Sequence, residues 1–188
     1  AQKLEICRAV NEPLLKAIGF FSSSEDFFVK AVRCMGSLSL SDDCIVLMVE
    51  SGATRLTVFG MKEHAERPEH VASAIELISN FGAIEDDELD EQMTAILIEE
   101  CGLDAILDAM KYYDTSVPIL LIAFEALYNI GNDGDAADKL VELGVVQQAF
   151  TTIQNFDYER KLVAQVMKFL SVLTYNEAAV EVIGSEHL

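Results

Sequence analysis

Nine residues are written nearly twice in this chain. "AIELISNFG" occupies positions 74–82 and "AFEALYNIG" positions 123–131, with Ala, Glu, Asn and Gly in the same four places and mostly apolar residues in the other five. An apolar stretch closed by glycine is the signature of a buried helix end. Self-similarity at a spacing of 49 residues points to an array of stacked units, because each copy must find an equivalent packing slot.

The text around the second copy divides into three helices. In "CGLDAILDAMKYY", Leu103, Ile106, Leu107 and Met110 form one apolar stripe. "DTSVP" then offers capping residues and a proline suited to a helix's first turn. "ILLIAFEALYNI" is apolar almost all round and reads as buried on most faces. "GNDGDAAD" is a break, and "KLVELG" ends a third, short helix. Gly52, Gly102 and Gly144 each follow such a short helix, and Val10 opens a weaker copy. The units so marked run near 10–51, 52–101, 102–143 and 144–184, with partial flanking units at 1–9 and 185–188. "CIVLMVESGATRLTVFG" is rich in β-branched residues and by itself suggests a hairpin. Its place in the repeat matches "DAADKLVELGVVQQAF", so we expect helix there.

Composition allows this. Half of the 188 residues are hydrophobic (51%), enough for a core and too many for disorder. No apolar run is long enough to cross a bilayer. The net charge of −19 opposes nucleic-acid binding, which needs a basic footprint, and favours basic partners. Cys7, Cys34, Cys44 and Cys101 have no metal or redox spacing and read as four buried, reduced thiols of an intracellular, cytoplasmic protein.

The pattern resembles the armadillo-repeat family. There a short first helix ends in Gly or Gly-Ala, as "VESGA" does at 49–53. The second helix carries an "xIPxLVxLL" phrase, echoed by "GLDAILDAM" and "NEPLLKAI", and the long third helix an "AxxALxNLA" phrase, echoed by the two copies above. The resemblance covers nearly the whole chain and implies an all-α, right-handed solenoid of three-helix repeats forming one domain over 1–188. HEAT repeats, the near alternative, usually have two helices per unit. Neither end reads as a polar cap, so end-to-end self-association is an expectation. Some family members are held at membranes by acylation at an upstream N-terminus.

The family's function lies in a concave groove lined by third helices. Its nuclear-import members place Trp and Asn there, four residues apart. The matching pairs here are Arg33 and Ser37, Glu76 and Asn80, Glu125 and Asn129, and Lys168 and Val172. The chain has no Trp, which argues against an import receptor. Extending each line back by a turn or two adds Asp26 and Lys30, Glu69 and Ser73, Pro118 and Ile122, and Lys161 and Gln165. The groove is then acidic with two amides in the middle and basic at each end, suiting a partner segment of basic character. Against this stands the reading that Asn80 and Asn129 only cap their own helices. The longer 50-residue unit holds an acidic insertion of Glu85, Asp86, Asp87, Glu88, Asp90 and Glu91, either a binding loop or a solvated one. Its latter part, through Leu89, Met93 and Ile96, should lengthen the next helix, with Asp86 and Asp87 at its positive end.

Catalysis finds little support. His64 and His70 bracket "AERPE", which reads as a loop, with no HExxH spacing, and His187 stands alone. "NDGDAAD" fails as a calcium loop, because the twelfth position from Asp133 is Gly144 where Glu is needed. We expect a non-enzymatic scaffold without metal or cofactor. A motor-directed co-chaperone and a nuclear-transport-type peptide receptor are the competing readings.

Overall fold

The computed structural model describes residues 2–84 and 86–185. Among these the chain is all-α: twelve helices and no strand. They are α1 (Gln2–Phe21), α2 (Glu25–Leu38), α3 (Asp42–Glu50), α4 (Ala53–Glu63), α5 (Pro68–Phe81), α6 (Asp87–Glu99), α7 (Gly102–Tyr112), α8 (Val117–Ile130), α9 (Gly134–Glu142), α10 (Val145–Asn155), α11 (Arg160–Leu173) and α12 (Glu177–Ser185). The β-branched stretch at 44–60 is α3 and α4: Ile45, Met48, Val49 and Val58 are buried against other helices, and that burial outweighs their strand propensity.

Packing runs in series. The 14-residue helices α2, α5, α8 and α11 pack each on the next; so do α3, α6, α9 and α12; and α1 packs on α4, which packs on α7. Each 14-residue helix gives one fully buried phenylalanine to the core: Phe28, Phe81, Phe124 and Phe169. Hydrogen bonds between layers span similar stretches of chain. Asn11 donates to Ser51 Oγ across 40 residues, Asn80 to Ser39 Oγ across 41, Tyr113 to the Ala65 carbonyl across 48, and Asn129 to Ser79 Oγ across 50.

Four details correct or add to the sequence reading. First, the break expected at Val10 does not exist: α1 is continuous for 20 residues, with Pro13 inside it. An internal proline costs a helix about 3 kcal/mol. Cys7, Leu15 and Ile18 are all buried on one face of α1, and Pro13 itself is exposed, so packing holds the helix through it.

Second, the left-handed residue before α7 is Cys101 (φ 60°), not Gly102. It matches Gly52 (φ 87°) before α4 and Gly144 (φ 79°) before α10. Glycine takes this conformation freely, whereas a Cβ crowds the following carbonyl at a cost of about 1–2 kcal/mol. Cys101→Gly is therefore expected to stabilise the fold by about 1 kcal/mol, seen as a higher melting temperature. An unchanged or lower melting temperature would contradict the strain.

Third, the glycines that close the two copied phrases are not left-handed. Gly82 has φ −100° and Gly131 φ −73°. They are glycine because of close approach: a Cβ at Gly82 would lie 2.4 Å from Ile130 Cγ1, and one at Gly131 2.7 Å from the Leu127 carbonyl oxygen.

Fourth, only Cys7 and Cys44 are buried; Cys34 and Cys101 are exposed. Cys34 lies on the open face of α2, and Cys101 at a surface turn. Burial, and then the neighbouring Cys44, push the Cys7 thiol up to about 11, so it stays protonated and inert.

The acidic insertion behaves as a helix start. α6 has 13 residues where α3 and α9 have 9, and the Asp86 carboxylate caps it by accepting from Leu89 N at 3.1 Å. Met93 is buried, with Leu89 and Ile96 beside it partly so. Glu85 lies outside the described residues, as do His187 and most of the expected flanking unit at 185–188. Asp87, Glu88 and Glu91 are exposed. Asp90 differs: one carboxylate oxygen is buried without a partner among the described residues, and burial, then Asp133 and Asp87, raise its carboxyl from 3.8 to about 6. A folded value above the unfolded one means that stability is lost as pH rises from about 4 through 6. Discounted for partial exposure, the loss should be about 1 kcal/mol. Urea melts between pH 4 and 7 should show this slope in the wild type, and Asp90→Asn should flatten it.

Candidate functional site

A cleft of about 640 Å³ runs across α2, α5 and α8. Eight of the sixteen residues expected along the groove line it: Arg33 and Ser37 from α2, Ser73, Glu76 and Asn80 from α5, and Ile122, Glu125 and Asn129 from α8. They come together because each set follows a helical 3–4 spacing and the three helices pack side by side. Eight others do not line the cleft: Asp26 and Lys30 lie nearer the start of α2, Pro118 is in the first turn of α8, and Val172 is buried on α11. Glu69 sits at the start of α5, and Lys161, Gln165 and Lys168 lie on α11.

The asparagines do not cap their own helices. Asn80 Nδ2 donates to Ser39 Oγ at 2.9 Å, just beyond α2. Asn129 Nδ2 donates to Ser79 Oγ on α5 at 3.0 Å. Each therefore ties its helix to the preceding one. No donor meets either amide oxygen among the described residues, and Asn80 and Asn129 both line the cleft.

The charges divide unequally. Arg33 Nη2 is 3.7 Å from Glu69 Oε2, and its Nε donates to Ser73 Oγ at 3.3 Å. At the far end, Lys168 Nζ lies over the Tyr128 ring, 3.7 Å from its centroid. Lys30 pairs with Asp26 on its own helix. Lys30, Arg33 and Lys168 are thus already engaged within the protein, whereas Lys161 is exposed and forms no ion pair among the described residues. Glu76 and Glu125 are exposed and form no ion pair among the described residues, so the centre of the cleft carries uncompensated negative charge.

Sequence reasoning missed Leu40, which lines the cleft and is 69% exposed. The signal was present in "SLSLSDD": an apolar residue set between two serines, outside any helical stripe. It also missed Val32, Gly36, Leu77 and Ser79, which form the floor between the helices.

His64 and His70, which the sequence separates by a short loop, meet at a corner of the fold. Their ring centroids are 5.1 Å apart, and both lie beside Phe28. His64 Nε2 is 2.6 Å from the Ser22 carbonyl oxygen and His70 Nε2 is 2.7 Å from that of Glu25. A carbonyl only accepts, so both nitrogens carry hydrogen. Arg67 adds an ion pair to Glu25 at 2.9 Å. Together they clamp the α4–α5 turn to the α1–α2 turn. Among the described residues no three His, Cys, Asp or Glu side chains converge in a way that could hold a metal ion, and no single helix is long and apolar enough to cross a membrane.

No family model, curated protein or solved structure matches the chain.

Proposed function

We propose that the chain is a non-enzymatic scaffold of the armadillo type, a right-handed solenoid of three-helix units that captures a basic segment of a partner protein in the cleft across α2, α5 and α8. The unit reading draws support from the serial packing of every third helix and from the left-handed residues 52, 101 and 144, which fall 49 and 43 positions apart. The functional reading rests on one observation above all: Glu76 and Glu125 stand unpaired on neighbouring helices in a single cleft.

Helices packed side by side have axes about 8–10 Å apart. An extended chain advances about 3.3 Å per residue, so lysines or arginines two or three positions apart would reach both carboxylates. The open amide oxygens of Asn80 and Asn129 can accept from the same segment's backbone N–H groups. The acid-rich chain, at −19 overall, would speed the encounter with such a segment at low salt. Titration with labelled Lys-x-Lys and Glu-x-Glu peptides tests this. The basic peptide should bind and weaken steeply with added salt, and the acidic one should not bind. Equal binding of the two, or none by the basic one, would remove the reading.

A further inference from the structure

A second site lies away from the cleft, between α4 and α7. It is a pocket of about 160 Å³ that shares no lining residue with the cleft. Its walls are apolar: Met61, Val71, Ala105, Ala109 and the rings of Tyr112 and Tyr113. The Tyr113 wall is fixed, because its hydroxyl donates to the Ala65 carbonyl at 2.7 Å. A cavity of about 150 Å³ accepts a benzene ring, so this pocket has room for one leucine- or phenylalanine-sized group.

The rim carries charge of both signs. Lys62 stands on the α4 side and Asp108 on the α7 side; both are exposed, and neither forms an ion pair among the described residues. Apolar surface continues outward on both helices. Phe59, one turn before Lys62, is 50% exposed, and Tyr112, one turn after Asp108, is 60% exposed. A concave apolar socket with an aromatic surround is the form taken by an anchor site in protein recognition. A lipid tail or a free hydrocarbon would fill the socket and leave both rim charges unmatched. A protein segment can match all three features.

We propose that this pocket is a docking site for a helical segment of a partner protein, which inserts one Leu or Phe and brings a carboxylate to Lys62 and an amine or guanidinium to Asp108. Residues four apart on a helix stand in one row, so an acidic residue, the apolar anchor and a basic residue at that spacing present the complementary pattern.

The probe is a labelled 16-residue helical peptide (the length is arbitrary) with a central Leu, Glu four residues before it and Lys four residues after it. Companion peptides carry Ala at the centre, or Glu and Lys exchanged. Fluorescence anisotropy should show binding of the first peptide and roughly tenfold or greater loss with the central Ala, the fold-change expected for withdrawing a buried leucine side chain. Ala109→Leu, which fills the pocket, should give a similar loss. The double variant Lys62→Glu, Asp108→Lys changes only exposed residues, and should shift preference to the exchanged peptide. Binding indifferent to the central residue, indifference to the charge exchange, or no binding by any peptide at millimolar concentration would overturn the proposal. So would methyl resonances of Ala105 and Ala109 that shift with added benzene but not with peptide, since that assigns the pocket to small apolar molecules.

Discussion

Replacing Gly60 by alanine should destabilise the protein by about 3 kcal/mol, at the upper end of what overpacking a core usually costs. The expected sign is unusual. In an ordinary helix interior, alanine is better than glycine by roughly 0.5–1 kcal/mol. Here the added Cβ would lie 2.0 Å from Phe28 Cε2 and 2.4 Å from Cζ. Phe28 cannot turn aside cheaply. It is fully buried and lies beside the rings of His64 and His70, both of which are held to backbone carbonyls. Moving the ring would loosen the clamp between two turns. For a domain of this size the melting temperature should fall by roughly 2–4 °C per kcal/mol, or roughly 6–12 °C. Phe28→Ala alone should cost about 3–5 kcal/mol through the cavity it leaves. The double variant should cost clearly less than the two together, because the new methyl partly fills that cavity. A melting temperature for Gly60→Ala at or above the wild type would refute the contact.

The second large effect concerns binding. With Glu76→Lys and Glu125→Lys combined, affinity for a Lys-x-Lys segment should fall about 100-fold. Hydrogen bonds to charged groups contribute about 1.5–3 kcal/mol when well desolvated, and exposed ion pairs 0.2–1. The cleft lies between these limits, so about 1.4 kcal/mol, or tenfold, is expected for each reversal. Stability should barely change, since both residues are exposed and neither loses a partner. Isothermal titration with parallel thermal melts separates the two. A variant that keeps its melting temperature and still binds the basic segment would end the cleft reading.

The order of helices was legible because apolar stripes at 3.6 spacing survive in "GLDAILDAM" and in the two copied phrases, and because Pro68 and Pro118 mark the first turns of α5 and α8. Most of the cleft was legible for the same reason: once a helix face is known, Glu76 and Asn80 must share it. What escaped depends on neighbours distant in sequence. Pro13 resembles a helix boundary until the buried face of α1 is known. Cys101 occupies a position where the sequence offered a glycine one residue later. Asn80 and Asn129 could be read as groove residues or as caps of their own helices, and the serines that receive them, Ser39 and Ser79, lie at the end of α2 and on α5. The charges of Arg33 and Lys168 were visible, but their engagement with Glu69 and the Tyr128 ring was not.

The similar reach of the interlayer hydrogen bonds bears on how the chain acquires its structure. A bond such as Asn11 to Ser51, His64 to Ser22 or Asn129 to Ser79 closes a loop of about 40–50 residues. Loop-closure entropy grows only with the logarithm of length, so each such closure carries a similar penalty wherever it occurs along the chain. Folding can then advance as a succession of comparable steps, each new layer docking on the one before it. A ribosome releasing the chain from its N-terminus presents the layers in that same order. The α1–α2 corner can be clamped by His64 and His70 while α8 is still unmade.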